Sequence, residues 1–281
     1  MDDLVSAAWL AGQLGQDDLT VLDASLFMPA DERDAEAEFL AAHIPGARRL
    51  DIHALSDPDH AAPHMLPSAA VFGAAMVALG VGRDDRIIIY DDSPLRSATR
   101  AWYMLRHFGA DRVAILDGGL GRWRADGCPL ESGRPGPRTA RYDAVERSSV
   151  VTKAMLIDGV GAPVLDARGR GRFDGSAPDP RPGVAAGHIP GSRNLPFADL
   201  YRADGTLRPD EELAAAFVAA GVDPRSGFVA TCGSGVTATS LLFAARRLGG
   251  RDARLYDGSW SEWGADPATP KATGPKATGA S

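Results

Sequence analysis

The chain has 281 residues and a formal net charge of −7, with 44% of its residues hydrophobic and 24% charged. This composition excludes a disordered chain, and the acidic balance argues against a nucleic-acid-binding surface, which needs a basic stripe. No apolar stretch approaches the roughly 20 residues that span a bilayer, and no basic segment precedes an apolar run near residue 1. We therefore expect a soluble protein with no membrane partner and no signal peptide.

The two cysteines, Cys128 and Cys232, are too few for a disulfide framework, so a reducing compartment and a cytoplasmic location are expected. Cys128 lies in a connector, D-G-C-P-L-E, that no predicted helix follows, and we interpret it as structural. A zinc site would need several Cys or His residues at ligand spacing, and the sequence has no such pattern, so no metal is expected.

Short apolar strands alternate with segments of helical length along both halves of the chain. In the first half, we predict strands at 20–22, 86–90 and 113–116, and helices at 68–79 and 97–108. In the second half, we predict strands at 163–165, 227–231 and 254–256, and helices at 211–220 and 236–248. This alternation predicts two small α/β domains, each with a mainly parallel sheet flanked by helices.

Three short motifs occur twice, in the same order. They are V-L-D-A at 21–24 and 164–167, H-I-P-G at 43–46 and 188–191, and an L/Y-D-G…W segment at 116–123 and 256–263. Two unrelated halves would hardly share this order, so we predict a duplicated domain. The predicted boundaries are an N-terminal domain at 1–127, a linker at 128–149, a C-terminal domain at 150–264 and a disordered tail at 265–281.

One loop carries the features of a reactive site. C-G-S-G-V-T at 232–237 joins a predicted buried strand to a predicted helix, so Cys232 lies at the carboxyl end of a strand, where α/β sheets form their sites. Loop N–H groups and the helix N-terminus favour the ionised thiol, which is the nucleophile. Gly233 and Gly235 let the main chain wrap around the sulfur. A buried structural cysteine is the alternative, and the position of Cys232 argues against it.

Other cysteine chemistries fit this loop less well. A phosphatase loop of the C-x5-R type needs an arginine six residues after the cysteine to bind phosphate, and that position is Ala238. The local signatures of papain-like and caspase-like proteases are absent. In the first half, Asp91 stands where Cys232 stands in the second, so we expect the first domain to be catalytically silent.

The H-I-P-G motif in each half, the D-G-S-W-x-E-W ending and a cysteine only in the second half resemble the two-domain rhodanese-like sulfurtransferases. Thiosulfate-preferring members usually carry a basic loop of the C-R-K-G-V-T type, whereas C-G-S-G-V-T resembles the loop of 3-mercaptopyruvate sulfurtransferases. The resemblance implies a Cys232 persulfide, with sulfur passing from 3-mercaptopyruvate to a thiol acceptor such as thioredoxin, or to cyanide, and release of pyruvate. It implies no cofactor. A thiosulfate:cyanide sulfurtransferase and a non-catalytic persulfide carrier or redox sensor remain as alternatives.

The resemblance also implies roles for residues outside the cysteine. Arg172 and Arg181 match the family's substrate-carboxylate arginines, and a planar guanidinium suits a carboxylate; the alternative is an exposed arginine-rich turn paired with Asp174 and Asp179. His64 matches a histidine of the first domain that completes a relay near the cysteine.

Within the loop, main-chain N–H groups of Gly233, Gly235, Val236 and Thr237 are expected to stabilise the thiolate and the persulfide. Ser234 is expected to contact the substrate carbonyl or relay a proton, or else to cap the helix. The family's relay carboxylate lies two residues beyond the Asp of a D-I pair. Here that position is His53, following Asp51–Ile52, so Asp51 or another acid substitutes, or the relay is dispensable, or His53 alters the pH profile.

Overall fold

Two five-stranded parallel sheets form the framework of the chain in a computed structural model that describes residues 1–274. The first sheet contains β1 (Leu4–Val5), β2 (Leu19–Asp23), β3 (Arg48–Arg49), β4 (Arg86–Tyr90) and β5 (Val113–Leu116). The second contains β6 (Val150–Val151), β7 (Val164–Asp166), β8 (Arg193–Asn194), β9 (Val229–Thr231) and β10 (Arg254–Tyr256). The strand orders are β1-β5-β4-β2-β3 and β6-β10-β9-β7-β8, which is the same topology twice. The predicted duplication and the predicted α/β class are confirmed.

Ten α-helices connect the strands within residues 1–274. The first five are α1 (Ala7–Ala11), α2 (Ala35–Ala41), α3 (Ala69–Ala78), α4 (Ala98–His107) and α5 (Gly119–Ala125). The second five are α6 (Lys153–Asp158), α7 (Arg170–Asp174), α8 (Asp210–Ala219), α9 (Ala238–Arg247) and α10 (Ser259–Trp263). Short 3-10 helices lie at Pro29–Asp31 and Phe197–Leu200. None of the helices in this described part is long and apolar enough to cross a membrane.

Local sequence explains where several of these elements begin. Ser68 caps α3 by accepting a hydrogen bond from the N–H of Val71, and Thr152 caps α6 by accepting one from Met155. Three acidic residues fill the first turn of α8, where they complement the partial positive charge of the helix N-terminus. The central strand β4, R-I-I-I-Y, is buried from Ile87 onward, as expected for a parallel strand covered on both faces.

The chain divides into two compact units that exchange short segments. The first unit contains residues 1–57, 66–148 and 202–207, and the second contains residues 58–65, 149–201 and the described chain from 208 onward. A segment of the first half of the sequence, 58–65, therefore belongs to the second unit. The predicted boundaries at 127 and 150 do not include this exchange, because no local composition change marks it.

The predicted linker and tail are more ordered than their composition suggests. In the linker, Tyr142 is buried and its hydroxyl donates to the carbonyl of Leu105. In the tail, the carbonyl of Pro270 accepts a hydrogen bond from Nε1 of Trp263 in α10, and Ala272 forms an antiparallel bridge with His188. The prediction of disorder was wrong for residues 265–274, because these contacts to distant residues replace the missing apolar pattern. Residues 275–281 of that prediction lie outside the described residues.

Candidate active site

Cys232 follows the last residue of β9, and α9 begins six residues later. It lies at the carboxyl end of a parallel strand, and its exposed fraction is only 1%. The helix begins two residues later than predicted, with Thr237 as its N-cap residue, so the whole C-G-S-G-V segment is loop. Gly235 has a φ of +76°, in the left-handed region that favours glycine, which explains why a glycine lies at this bend.

Several main-chain donors in this loop are unused. Within residues 1–274, the N–H groups of Gly233, Ser234, Val236, Thr237 and Ala238 have no hydrogen-bond acceptor. Buried main-chain N–H groups without acceptors are rare in proteins, so a set of them beside a cysteine indicates a place for a negative charge. This arrangement supports the prediction that the loop stabilises an anionic sulfur. The prediction is corrected for Gly235, whose N–H donates to the hydroxyl of Ser259.

Ser259 holds the loop in this conformation. Its hydroxyl oxygen accepts hydrogen bonds from the N–H groups of Cys232 and Gly235, each at 3.1 Å, and the hydroxyl donates to the carbonyl of Tyr256 at 2.9 Å. The next N–H group of α10, that of Trp260, donates to the carbonyl of Cys232 at 3.0 Å. Sequence reasoning missed Ser259, although its place in the D-G-S-W motif was the available signal.

In the corresponding loop of the first unit, main-chain N–H groups bind a side-chain carboxylate. Asp91 occupies the position of Cys232, and its carboxylate accepts from the N–H of Ser93 at 3.2 Å and from the N–H of Ala98 at 2.6 Å. Burial raises the pKa of Asp91 to about 6, although these hydrogen bonds oppose the shift. In the first loop main-chain donors bind the side chain that follows the strand, and in the second loop, where that side chain is a thiol, several main-chain donors have no acceptor among residues 1–274.

Two arginines lie against the cysteine loop. A Cβ atom added to Gly233 would come 3.1 Å from Nη2 of Arg172 and 3.2 Å from Nη1 of Arg181, so both guanidinium groups lie beside that residue. Their side chains are 31% and 22% exposed, which leaves them open to a solute although Cys232 itself is buried. Within residues 1–274, Nε of Arg172 is buried and has no hydrogen-bond acceptor. The structure thus places Arg172 and Arg181, which the family resemblance implies as substrate-binding residues, beside the loop of Cys232.

Asp179 connects the two arginines. Its carboxylate accepts from Nη2 of Arg172 at 2.6 Å and from the main-chain N–H of Arg181 at 3.1 Å, and Nη1 of Arg181 lies 3.5 Å away. The Asp179 side chain is 1% exposed, so its carboxylate pairs with the arginines in the protein interior and not on an exposed turn. The alternative interpretation of this segment was right about Asp179 as a partner and wrong about its exposure.

The other two arginines of the segment have different surroundings. Arg168 is buried, pairs with Asp166 at 2.7 Å and lies 4.6 Å over the ring of Trp260, so it is structural. Arg170 is 71% exposed and pairs with Asp199 at 2.7 Å. Neither is among the nearest neighbours of Gly233, so Arg168 is a structural residue and Arg170 an exposed one.

His64 reaches the loop from the exchanged segment. Its Nδ1 lies 3.0 Å from the hydroxyl oxygen of Ser234, and the two side chains are 9% and 6% exposed. His64 has a φ of +62°, an uncommon conformation for a non-glycine residue that the surrounding structure must hold in place. The expectation that a histidine of the first domain serves the site is corrected in one respect, since residues 58–65 belong to the second compact unit.

Comparisons with known proteins agree with the repeated topology. The model of the rhodanese-like domain matches twice, at residues 6–126 and 151–266. The chain belongs to the rhodanese family. It is 42% identical to the 3-mercaptopyruvate sulfurtransferase of Escherichia coli strain K12 over 266 residues, covering 93% of this chain and 94% of the relative.

Two further matches concern the same family. A mitochondrial thiosulfate/3-mercaptopyruvate sulfurtransferase of Arabidopsis thaliana is 38% identical over 294 residues, covering 96% of this chain and 78% of the relative. The crystal structure of SseA from Escherichia coli, described with the rhodanese fold and catalytic mechanism of 3-mercaptopyruvate sulfotransferases, superposes with a TM-score of 0.84 at 39% identity. That match covers 93% of this chain and all of the other.

The H-I-P-G histidines have the same role in both rhodanese-like halves. His43 stacks on Phe39 with ring centroids 4.1 Å apart, and His188 stacks on Phe173 at 3.9 Å. In each pair, Nδ1 of the histidine donates to the main-chain carbonyl of the phenylalanine. A role repeated in the half without a cysteine is structural.

The D-I-H segment, where the relay carboxylate was considered, begins a turn. The Asp51 carboxylate accepts from the N–H groups of His53 and Ala54 at 3.0 and 3.1 Å and so caps an exposed turn. His53 is exposed as well. Among the described residues, no group of three or more His, Cys, Asp or Glu side chains could hold a metal ion.

Proposed function

We propose that this chain is a sulfurtransferase that takes sulfur from 3-mercaptopyruvate, carries it as a Cys232 persulfide and passes it to a thiol acceptor or to cyanide. The observation that carries the proposal is one juxtaposition. A cysteine followed by unused main-chain donors lies in a loop against which Arg172 and Arg181 pack. The donors suit a sulfur anion, and the guanidinium groups suit a carboxylate.

The chemistry proceeds by two displacements at sulfur. The Cys232 thiolate attacks the sulfur of 3-mercaptopyruvate; an S–S bond forms as the C–S bond breaks, and the electron pair leaves as the enolate of pyruvate. A proton then adds to the enolate carbon, which gives pyruvate and leaves Cys232 as a persulfide. The acceptor thiolate attacks the outer sulfur, which regenerates the Cys232 thiolate and completes a ping-pong cycle.

The surrounding residues have separate tasks in this cycle. Arg172 and Arg181 bind the substrate carboxylate, and the N–H groups of Gly233, Val236 and Thr237 bind the sulfur that the loop carries. The N–H of Gly235 holds the loop in place through its hydrogen bond to Ser259. Ser234 orients the substrate carbonyl and moves a proton with His64, to which its hydroxyl is hydrogen-bonded. The burial of Cys232 keeps water away from the persulfide.

A second donor is favoured by the arginines themselves. Thiosulfate is a dianion, and two guanidinium groups beside the loop suit it as well as they suit a carboxylate. The loop side chains after Cys232 add no positive charge, which favours the monocarboxylate donor. Comparison of kcat/KM for 3-mercaptopyruvate and thiosulfate decides between them, and a thiosulfate preference overturns the assignment.

Mass spectrometry after exposure to 3-mercaptopyruvate tests the proposal most directly. We expect one added sulfur on the peptide that contains Cys232, release of pyruvate over many turnovers, and neither in Cys232→Ser. Sulfur on Cys128, or none, contradicts the proposal. Stoichiometric loading without turnover supports instead the alternative of a persulfide carrier or redox sensor.

The acceptor and the location complete the proposal. The acceptor must supply the attacking thiolate, and either a small thiol or a redox protein can do so. Thioredoxin is the proposed protein acceptor, and turnover with reduced thioredoxin as the sole acceptor tests it. A cytoplasmic location is supported by the two free cysteines, Cys128 and Cys232. Cell fractionation tests the location.

A further inference from the structure

Asp179 contributes a buried negative charge beside the two arginines of the proposed substrate site. Its carboxylate contacts Nη2 of Arg172 at 2.6 Å and lies 3.5 Å from Nη1 of Arg181, and its side chain is 1% exposed. The two arginine side chains are more exposed than Asp179, so they are open to a solute while the carboxylate is not. A buried carboxylate in such a position is stabilised by both arginines.

From this geometry we infer that Asp179 sets the charge of the arginine pair and makes the site select monoanionic over dianionic sulfur donors. Two guanidinium groups and one carboxylate leave a net charge of one positive unit. That charge matches a single substrate carboxylate and falls one unit short of a sulfur oxyanion with two negative charges. The inference deepens the proposed function and rests on it, because it explains a preference between the two donors considered there.

Asp179 also determines which donor atoms remain for a ligand. Nη2 of Arg172 is occupied by the carboxylate, whereas Nε of the same side chain is buried without an acceptor among residues 1–274. A buried donor of this kind gains a hydrogen bond when an anion binds. Asp179 does not compete for this donor, because its carboxylate is hydrogen-bonded to Nη2. The carboxylate therefore acts as a positioning residue that fixes the arginine and lowers the net charge at once.

The loop does not restore the missing charge. The side chains from Gly233 to Thr237 are glycine, serine, valine and threonine, so they add no formal positive charge to those of Arg172 and Arg181, which lie beside Gly233. Removing the charge of Asp179 without changing its shape should therefore convert the pair into a site for dianions. Asparagine has nearly the same shape and no charge.

Binding of two ions of similar shape tests the inference without turnover. Sulfate is a tetrahedral dianion, and methanesulfonate is a tetrahedral monoanion. Both are titrated by calorimetry into full-length Cys232→Ser protein, with and without Asp179→Asn. In the Cys232→Ser parent, we expect sulfate to bind no more tightly than methanesulfonate. In Asp179→Asn, we expect the ratio of the sulfate affinity to the methanesulfonate affinity to be about tenfold higher than in the parent.

Asp210→Asn is the matched control. Asp210 pairs with Arg247 at 3.3 Å, at the end of α9 opposite the cysteine loop, so its substitution removes the same charge far from the arginine pair. The sulfate-to-methanesulfonate ratio should not change. An unchanged ratio in Asp179→Asn, or an equal change in Asp210→Asn, overturns the inference.

Two measurements keep the test decisive if Asp179→Asn does not fold. The parent protein alone contradicts the inference if sulfate binds ten or more times as tightly as methanesulfonate, which would require a pair that behaves as doubly positive. Asp179→Glu keeps the charge and should keep the low ratio of the parent. A high ratio in Asp179→Glu contradicts a role for charge.

Turnover then separates this inference from the proposed function. In otherwise native protein, Asp179→Asn should raise the kcat/KM ratio of thiosulfate to 3-mercaptopyruvate about tenfold, through KM and not through kcat. If neither donor gives a persulfide in the native protein, the proposed function fails while the ion-binding ratios still report on Asp179. If both donors react and the ratio does not move, the inference alone fails.

Discussion

Nδ1 of His64 lies 3.0 Å from the hydroxyl oxygen of Ser234, two residues after the thiol, and both side chains are nearly buried. A hydroxyl that is hydrogen-bonded to an imidazole can give or take a proton while its partner compensates. The pair is therefore suited to the step in which the pyruvate enolate forms. It connects the exchanged segment to the loop that carries Cys232.

Ser234→Ala should lower kcat by about a hundredfold with a small change in KM, because proton transfer typically contributes factors of this order. Steady-state kinetics with 3-mercaptopyruvate measures both parameters. Ser192→Ala is the control, since it removes a buried hydroxyl that has no hydrogen-bond partner among residues 1–274. A kcat equal to that of the control would remove Ser234 from the reaction.

Arg172→Ala should raise the KM for 3-mercaptopyruvate about tenfold or more and leave kcat nearly unchanged, because a contact to the substrate carboxylate is made in the ground state as well as in the transition state. Arg170→Ala serves as the control, because Arg170 belongs to the same helix and is 71% exposed. We expect the control to behave as the native protein. If KM is the same in both variants, Arg172 does not bind the substrate.

Ser259→Gly should destabilise the second unit by about 1–3 kcal/mol and slow persulfide formation, because the buried N–H groups of Cys232 and Gly235 lose their acceptor. Ser259 has a φ of +51°, which glycine adopts without strain. Ser259→Ala also loses the hydroxyl and must keep that φ, so it should be less stable than Ser259→Gly by roughly 1 kcal/mol. Urea denaturation compares the two, and equal stability of native and glycine proteins would contradict the role of the hydroxyl.

Asp91 should make the first unit less stable as pH rises from about 4 to 6. Burial raises its pKa from 3.8 to about 6, so between these values the unfolded chain loses the proton and the folded chain keeps it. A shift of about two units corresponds to roughly 3 kcal/mol, present below pH 4 and lost above pH 6. Carboxyl NMR should give a midpoint near 6 for Asp91.

Asp91→Asn separates this effect from other carboxylates. The variant cannot ionise at that position. The unfolding free energy of the variant minus that of the native protein should therefore increase by roughly 3 kcal/mol between pH 4 and 6 and stay level above pH 7. A difference that does not depend on pH would mean that Asp91 ionises freely in the folded state.

The long apolar strands and helices could be predicted from the sequence because each carries its own pattern. The strands Arg86–Tyr90, Val113–Leu116 and Arg254–Tyr256 have the predicted bounds. The two-residue strands, such as Leu4–Val5, could not, because only pairing with β5 makes them strands. The ordered tail was missed for the same reason, since Ala272 is fixed by His188 and not by its neighbours.

For the site as well, the residues that could be predicted are those whose sequence neighbours or family motif mark them. Cys232 was predictable because strand, glycines and helix surround it in the sequence, and Arg172 and Arg181 entered through the family resemblance. Their roles, with those of Ser234 and His64, stay predictions. Ser259 was not predicted, because its importance lies in hydrogen bonds to loop atoms that are distant in the sequence. Asp179 was predicted only as a partner in an exposed turn, because its burial depends on tertiary packing.

The exchange of residues 58–65 and 202–207 between the two units has a consequence for synthesis on the ribosome. The first unit cannot gain its last segment until residue 207 has left the exit tunnel, by which time much of the second half has emerged. Domains of a nascent chain usually fold in order from the N-terminus. Here each unit needs a segment from the other half of the sequence to be complete. A gene cut between the two repeats would therefore encode two incomplete units, and the fragment with the thiol would lack His64.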